Sequence, residues 1–156
     1  MSKSLRRVTA ALHAAGLDIT PLEMAAETRT AQQAAEAAGC ALDQIAKSII
    51  FQGTDSGRVT LFLTAGGNQV DAAKAAALAG EPLARADADT VRAQTGFAIG
   101  GVSPVGHPAT LPVWVDPRLS DFAVVWAAAG TPRHIFPIAP AELIRVSGGR
   151  IGDFTA

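Results

Sequence analysis

A single cysteine, Cys40, stands in 156 residues. One thiol closes no intramolecular disulfide and cannot build a cysteine-rich zinc site. Tyrosine is missing and aromatic residues make up only 5% of the chain. The interior must therefore be filled by Val, Ile, Leu and Phe, with Trp114 and Trp126 as its largest pieces. Charge is also sparse: 17% of residues carry it, 13 basic against 14 acidic, for a formal net charge of -1. That balance excludes a broad basic face for duplex DNA, although a local cationic patch is compatible with it. No window reaches about 18 uninterrupted apolar residues, so no membrane span is expected. The opening MSKSLRRVTAALHAAG is basic then apolar, but Thr9 and His13 interrupt it, and it reads as a helix of the domain in a cytoplasmic protein. Metal-ligand spacings such as HxH, HxxxH and CxxC do not occur, and no metal or cofactor is expected. Neither a G-x-S-x-G elbow nor a phosphate loop ending in Gly-Lys-Ser/Thr is present.

What remains is a globular composition, 49% hydrophobic, of a length that suits one domain spanning 1–156. Leu5, Val8, Leu12 and Ala15 form a helical stripe stopped by Gly16. Leu17, Ile19 and Leu22 alternate like an edge strand. Thr30 with Gln33 makes a capping box for a helix ended by Gly39. Ile45–Phe51 and Arg58–Leu63 are two strands joined by turn residues, a hairpin. Asp71 caps a helix ending at Gly80, Leu83–Ala86 is a short strand, and Asp87 or Asp89 caps a helix ending at Gly96. Strands over 111–115, 122–128 and 134–138 and a helix over 141–146 complete a clustered, non-alternating order. That order favours an α+β fold with a mixed or largely antiparallel sheet.

Two stretches stand out as candidates for chemistry. In TGFAIGGVSPVGH (95–107), a short apolar segment reads as a buried strand entering a glycine loop that Pro104 stiffens. Such a loop is either a tight turn or a rigid cradle of main-chain amides around a small ligand. The second is Lys47, set within Ile45-Ala46-Lys47-Ser48-Ile49-Ile50, where alternation puts it on the face of two isoleucines. It either snorkels out at the sheet margin or fixes a cation in a pocket for a carbonyl, carboxylate or phosphate.

Together, IAKSIIF and the Gly-x-x-x-Pro motif from Gly100 to Pro104, some fifty residues apart, resemble the YbaK/EbsC family. Its members are free-standing relatives of the editing insertion domain of bacterial prolyl-tRNA synthetases, and the resemblance covers nearly the whole chain. It implies a mixed, mostly antiparallel sheet curved into a partly open barrel with short helices outside. It also implies a trans-editing aminoacyl-tRNA deacylase that hydrolyses the ester of mischarged tRNA, most often tRNA-Pro carrying Cys, Ala, Ser or Thr. Lys47 and Gly101 are then the catalytic positions. Thr28, Arg29, Gly100, Val102, Ser103, Pro104, His107 and His134 contact the aminoacyl-adenosine end, with Arg133 a further basic candidate. On this resemblance no protein general base is needed, because the substrate's own 2′-OH helps activate water or a cysteine thiol cyclises. The implied partners are the tRNA 3′ end and prolyl-tRNA synthetase. Phe136 stands where some members carry a selective histidine, and His134, two residues earlier, shares its face. The competing expectation is a non-catalytic module that binds aminoacyl-tRNA or nucleotide and docks on a synthetase. A change of Gly101 to Val is expected to lower activity while leaving thermal stability near normal.

Overall fold

The computed structural model describes residues 2–156. The first helix, α1 (Lys3–Ala14), buries Leu5, Val8 and Leu12 on one stripe. Further on, α2 (Ala31–Ala38) begins where the Thr30 hydroxyl accepts from the Gln33 N–H at 3.1 Å, and it ends at Gly39 in the left-handed region. The two long strands β2 (Ile45–Gly53) and β3 (Val59–Ala65) pair antiparallel over seven positions, as the hairpin pattern predicts. Asp71 caps α3 (Ala72–Ala79), and Asp87, not Asp89, caps α4 (Ala88–Thr95). Short strands β1 (Leu22–Glu23), β4 (Leu83–Arg85), β5 (Val113–Val115), β6 (Val125–Ala128), β7 (His134–Ile138) and β8 (Arg150–Ile151) surround the hairpin, and α5 (Pro140–Ser147) packs Leu143 into the core.

These strands form one mixed sheet in the order β1-β7-β6-β2-β3-β5-β8, with β4 attached to β2. Four of its seven pairings are antiparallel, and the sheet does not close on itself. The α+β class and the open, helix-flanked sheet thus agree with expectation. Three segments differ. Phe97–Ile99 is not a strand: Phe97 is buried behind the turn at Gly96, while Ala98 and Ile99 swing outward. Leu17 and Ile19 pack on the core from an irregular segment, because Pro21 blocks ladder pairing until Leu22. Residues 122–124 are also irregular, since a 3₁₀ turn (Pro117–Asp121) capped by Asp116 delays β6 to Val125.

Alternation along β2 sets up the site. Ala46 and Ile50 face the main core with Leu61, Leu63, Val102 and Ala127. Ile45 faces a small cluster with α2 and Trp126, whereas Ile49 and Phe51 face another with Phe62, Ala75 of α3 and Phe154. Lys47 lies on that second face, between the two clusters. On its free side β2 changes partner: β6 runs parallel to it only at Ile45 and Ala46, and β4 takes over only at Phe51. Residues 47–50 have no strand there. The bond from the Gly53 N–H to the Arg58 carbonyl (2.9 Å) fixes the alternation of the hairpin ladder. Lys47, Ile49 and Phe51 therefore turn their main-chain groups toward β3, and Ser48 and Ile50 turn theirs into the gap.

Candidate active site

A cavity of about 570 Å³ occupies that break in the sheet. Its floor is β2 from Ile45 to Phe51; its walls are Thr28–Ala31 and Ala34, the β6 residues Trp126–Ala128, and Ile99, Gly100 and Val102 of the glycine loop. Charged residues on its wall are Arg29, Lys47 and Arg85, all cationic, with neither a carboxylate nor a histidine among the lining residues. The rest of the wall is mostly apolar. An anion with an apolar appendage suits such a lining better than a cation does.

Lys47 is half-buried, and its Nζ donates to the Asn68 carbonyl at 2.6 Å. Desolvation pushes its pKa below the usual lysine value, while the charges of Asp116 and Asp43 pull it back up. Neither carboxylate is free to form a direct pair with it. Asp43 accepts from Arg118 Nε at 3.1 Å and from the Gly67 N–H at 2.8 Å, and the Arg118 guanidinium holds its pKa below the usual range. Asp116, 1% exposed, accepts from the N–H groups of Ala65 (3.1 Å) and Arg118 (2.9 Å) and from Asn68 Nδ2 (2.9 Å).

The glycine loop is tied to this floor from the opposite face: Ser48 Oγ donates to the Val102 carbonyl at 2.8 Å. Gly100 has φ +94 and open space around it, so its backbone needs glycine for conformational reasons. Gly101 differs: a Cβ there would lie 2.9–3.0 Å from the main chain of Thr131, a close approach rather than an unusual φ. Its N–H donates to the Ala98 carbonyl (3.1 Å) and is occupied within the turn. Thr28, through its N–H to the Pro132 carbonyl (2.9 Å), and Met24, through its N–H to Arg133 (2.7 Å), fasten the segment before α2 to the same 131–133 turn. Loop, turn and helix entry thus form one rim.

The structure gathers Lys47, Thr28, Arg29, Gly100 and Val102 around the cavity and leaves the other sequence candidates outside it. Gly101, Ser103 and Pro104 are buried behind the rim, where the Ser103 hydroxyl accepts from the Val105 N–H at 3.2 Å. His107 is held by Nε2 against the Ser103 carbonyl (2.7 Å) and edge-on to Phe97, with burial pushing its pKa down. His134 lines a separate cavity of about 550 Å³ with Arg133, Glu23 and Glu27, and its Nδ1 meets the Thr131 hydroxyl at 2.6 Å. Phe136 faces the main core, so His134 on its face points away from the site, and Ile135 lines it instead. Arg133 donates to the Ala25 carbonyl at 2.9 Å. Sequence reasoning passed over Arg85, Ile99 and Trp126, and also Asp116 and Asn68 beneath Lys47. The Asp116-Pro117 pair could have marked a cap for the turn that follows, but nothing near it in sequence points to Ala65 or Asn68.

A sequence model of the aminoacyl-tRNA editing domain matches residues 25–146. The chain belongs to that family. A solved structure named as a candidate trans-editing enzyme for prolyl-tRNA synthetase superposes with a TM-score of 0.93 at 44% identity, covering 100% of this chain and 99% of the other. The hypothetical protein APE2540 gives a TM-score of 0.87 at 29% identity, covering 96% and 99%. YwhH of Bacillus subtilis, an uncharacterised protein, is 33% identical over 134 residues, 86% of this chain and 83% of its own length. EbsC of Enterococcus faecalis, named as a candidate Cys-tRNA(Pro)/Cys-tRNA(Cys) deacylase, is 23% identical over 127 residues, 81% and 77% of the two lengths. No helix among the described residues is long and apolar enough to cross a membrane.

Proposed function

We propose that the protein is an aminoacyl-tRNA deacylase acting in trans on tRNA-Pro charged with a small wrong amino acid, in the cytoplasm where such tRNA is made. The observation that carries this reading is the cavity at the break in β2, whose charged wall is wholly cationic and whose remaining wall is apolar. Arg29 and Arg85 flank the 3′-terminal phosphodiester, the terminal adenosine and aminoacyl group occupy the apolar part, and the ester carbonyl lies near Lys47. Water adds to the carbonyl carbon, and the tetrahedral oxyanion is stabilised by the Lys47 ammonium. The C–O bond to the ribose then breaks, and the ribose oxygen leaves with a proton, giving free amino acid and uncharged tRNA. No side-chain carboxylate or imidazole lines the cavity to take the water's proton, so the vicinal 2′-hydroxyl of the substrate relays it, accepting the water's proton as it hands its own to the departing 3′-oxygen. An aminoacyl ester is activated enough that positioning and one cation suffice.

The test is deacylation of a panel of tRNA-Pro charged with Ala, Cys, Ser or Thr, with Lys47→Ala as control. Removing an oxyanion-stabilising group costs roughly 10²–10³ in kcat, so the variant should be almost inactive on whichever member is turned over. Full activity in Lys47→Ala refutes the role of Lys47. Tight binding without turnover by the wild type would establish the binding module instead.

A further inference from the structure

Asp116 is the most deeply buried charged residue among the described residues, and the reaction outlined above makes no direct use of it. Two of its three hydrogen bonds bear on the turn after β3, and the third caps the Pro117–Asp121 turn through the Arg118 N–H. Ala65 N–H anchors the start of that turn and Asn68 Nδ2 anchors its end, while the Asn68 N–H closes it onto the Ala65 carbonyl at 2.9 Å. The Asn68 carbonyl, at the end of the turn so fixed, is the one that receives the Lys47 ammonium. Asn68 therefore works with two groups at once: its side chain grips the buried carboxylate and its main chain holds the lysine.

We propose that Asp116 is a positioning residue for Lys47, acting through Asn68 to fix where the ammonium is aimed. This rests on the reading of Lys47 as the working cation. Two effects are combined. One is geometric: with the Asn68 side chain bound, the 65–68 turn has a single arrangement, so the lysine has a fixed acceptor rather than a mobile one. The other is electrostatic: a buried carboxylate near a half-buried lysine favours the charged form without an ion pair that would quench it. Asp43, just before β2 and bound by Arg118, also acts on Lys47, and Arg29 and Arg85 share its cavity. A carboxylate serving only the fold would have no need to reach the residue whose carbonyl holds the lysine.

The test uses the full-length protein with two variants. Asn68→Ala cuts the link while leaving Asp116 its two main-chain donors; Asp116→Asn keeps the shape and removes the charge. Reductive ¹³C-methylation gives a lysine resonance, assigned by its loss in Lys47→Arg, whose titration midpoint reports the charge of Lys47 without any substrate. The midpoint should fall in Asp116→Asn, because a carboxylate that favours the charged form is removed. With alanyl-tRNA-Pro as substrate, kcat should fall about tenfold in Asn68→Ala, the value of one hydrogen bond to a charged group, with KM near wild type. That loss should vanish in the Lys47→Ala background. An unmoved midpoint together with wild-type kcat in Asn68→Ala overturns the proposal. So does a kcat loss that persists without Lys47, which marks a merely structural role. If Asp116→Asn does not fold, Asn68→Ala decides alone. Should Lys47→Ala itself remain active, the reading of Lys47 as the working cation fails, and the midpoint still decides whether Asp116 governs the charge of Lys47.

Discussion

Gly100 and Gly101 are neighbours in sequence, yet adding one methyl group to each should fail for different reasons. At Gly101 the new Cβ would sit 2.9 Å from Thr131 Cα and 3.0 Å from its carbonyl carbon and nitrogen. These are main-chain atoms of the β6–β7 turn, and that turn is itself fastened to Met24 and Thr28. It cannot yield as the tip of a flexible side chain would. Overpacking of this kind costs about 1–3 kcal/mol. For a chain of this size 1 kcal/mol moves Tm by about 2–4 °C, so Gly101→Ala should melt roughly 2–12 °C below wild type. Gly100→Ala meets no atom within 4 Å, but its φ of +94 disfavours any L side chain by about 1–2 kcal/mol. The loop there is exposed and lines the cavity, so it can relax by moving, and the movement falls on the substrate site. Thermal unfolding followed by circular dichroism, paired with deacylation of alanyl-tRNA-Pro below both melting points, separates the two. Gly101→Ala should lose stability and keep most of its activity per folded molecule. Gly100→Ala should lose activity out of proportion to its change in Tm. The geometry also reverses the sequence expectation for Gly101→Val, which should fail to fold stably rather than merely lose activity. A Gly101→Ala protein that melts within about 1 °C of wild type would refute the steric reasoning.

His107 supplies a stability prediction. Burial lowers its folded pKa below 6.5, and the unfolded chain therefore binds the proton more readily. Its contribution to stability is complete above about pH 6.5 and is lost as pH falls toward the lower folded value. Urea midpoints measured at pH 7.5 and 5 should differ more for wild type than for His107→Gln, and equal pH slopes would exclude His107 as the cause. For Arg29 and Arg85, each phosphate contact on a single strand adds about 0.7 to the slope of log affinity against log salt. Arg29→Ala and Arg85→Ala should each flatten that slope by this amount in tRNA binding titrations; an unchanged slope would place the 3′ end elsewhere.

The local grammar of the chain carried much of the fold. Thr30, Asp71 and Asp87 cap the helices that follow them, Gly39, Gly80 and Gly96 end them, and the β2–β3 hairpin follows from two apolar runs around turn residues. Lys47 was legible for a related reason, as a charge out of place on an apolar face. Features set by distant partners were not. Gly101 is glycine because of Thr131, thirty positions away, and Asp116 is buried because donors at Ala65 and Asn68 come to meet it. Alternation correctly put His134 on the face of Phe136, but which face of β7 looks into the cavity depends on where the core cluster lies. The cavity itself arises because β6 and β4 each cover only one end of β2, a fact of pairing that no single segment encodes.

The same pairing explains how a positive site can persist in a nearly neutral protein. A lysine in the middle of a fully paired sheet would be covered on both sides or driven to pair with an acid. Here the break in β2 leaves room beside Lys47, and the two nearby carboxylates are committed elsewhere: Asp43 to Arg118 and Gly67, Asp116 to Asn68 and two amides. The ammonium is held by a neutral carbonyl instead. A carbonyl orients the charge without cancelling it, so its field remains available to an incoming anion, whereas a direct carboxylate partner would have to be displaced first. Arg29 and Arg85 add to that field from the wall. The charge economy of the chain is thus local: 13 basic residues nearly balance 14 acidic ones, while the charged residues lining the opening in the sheet are all cationic.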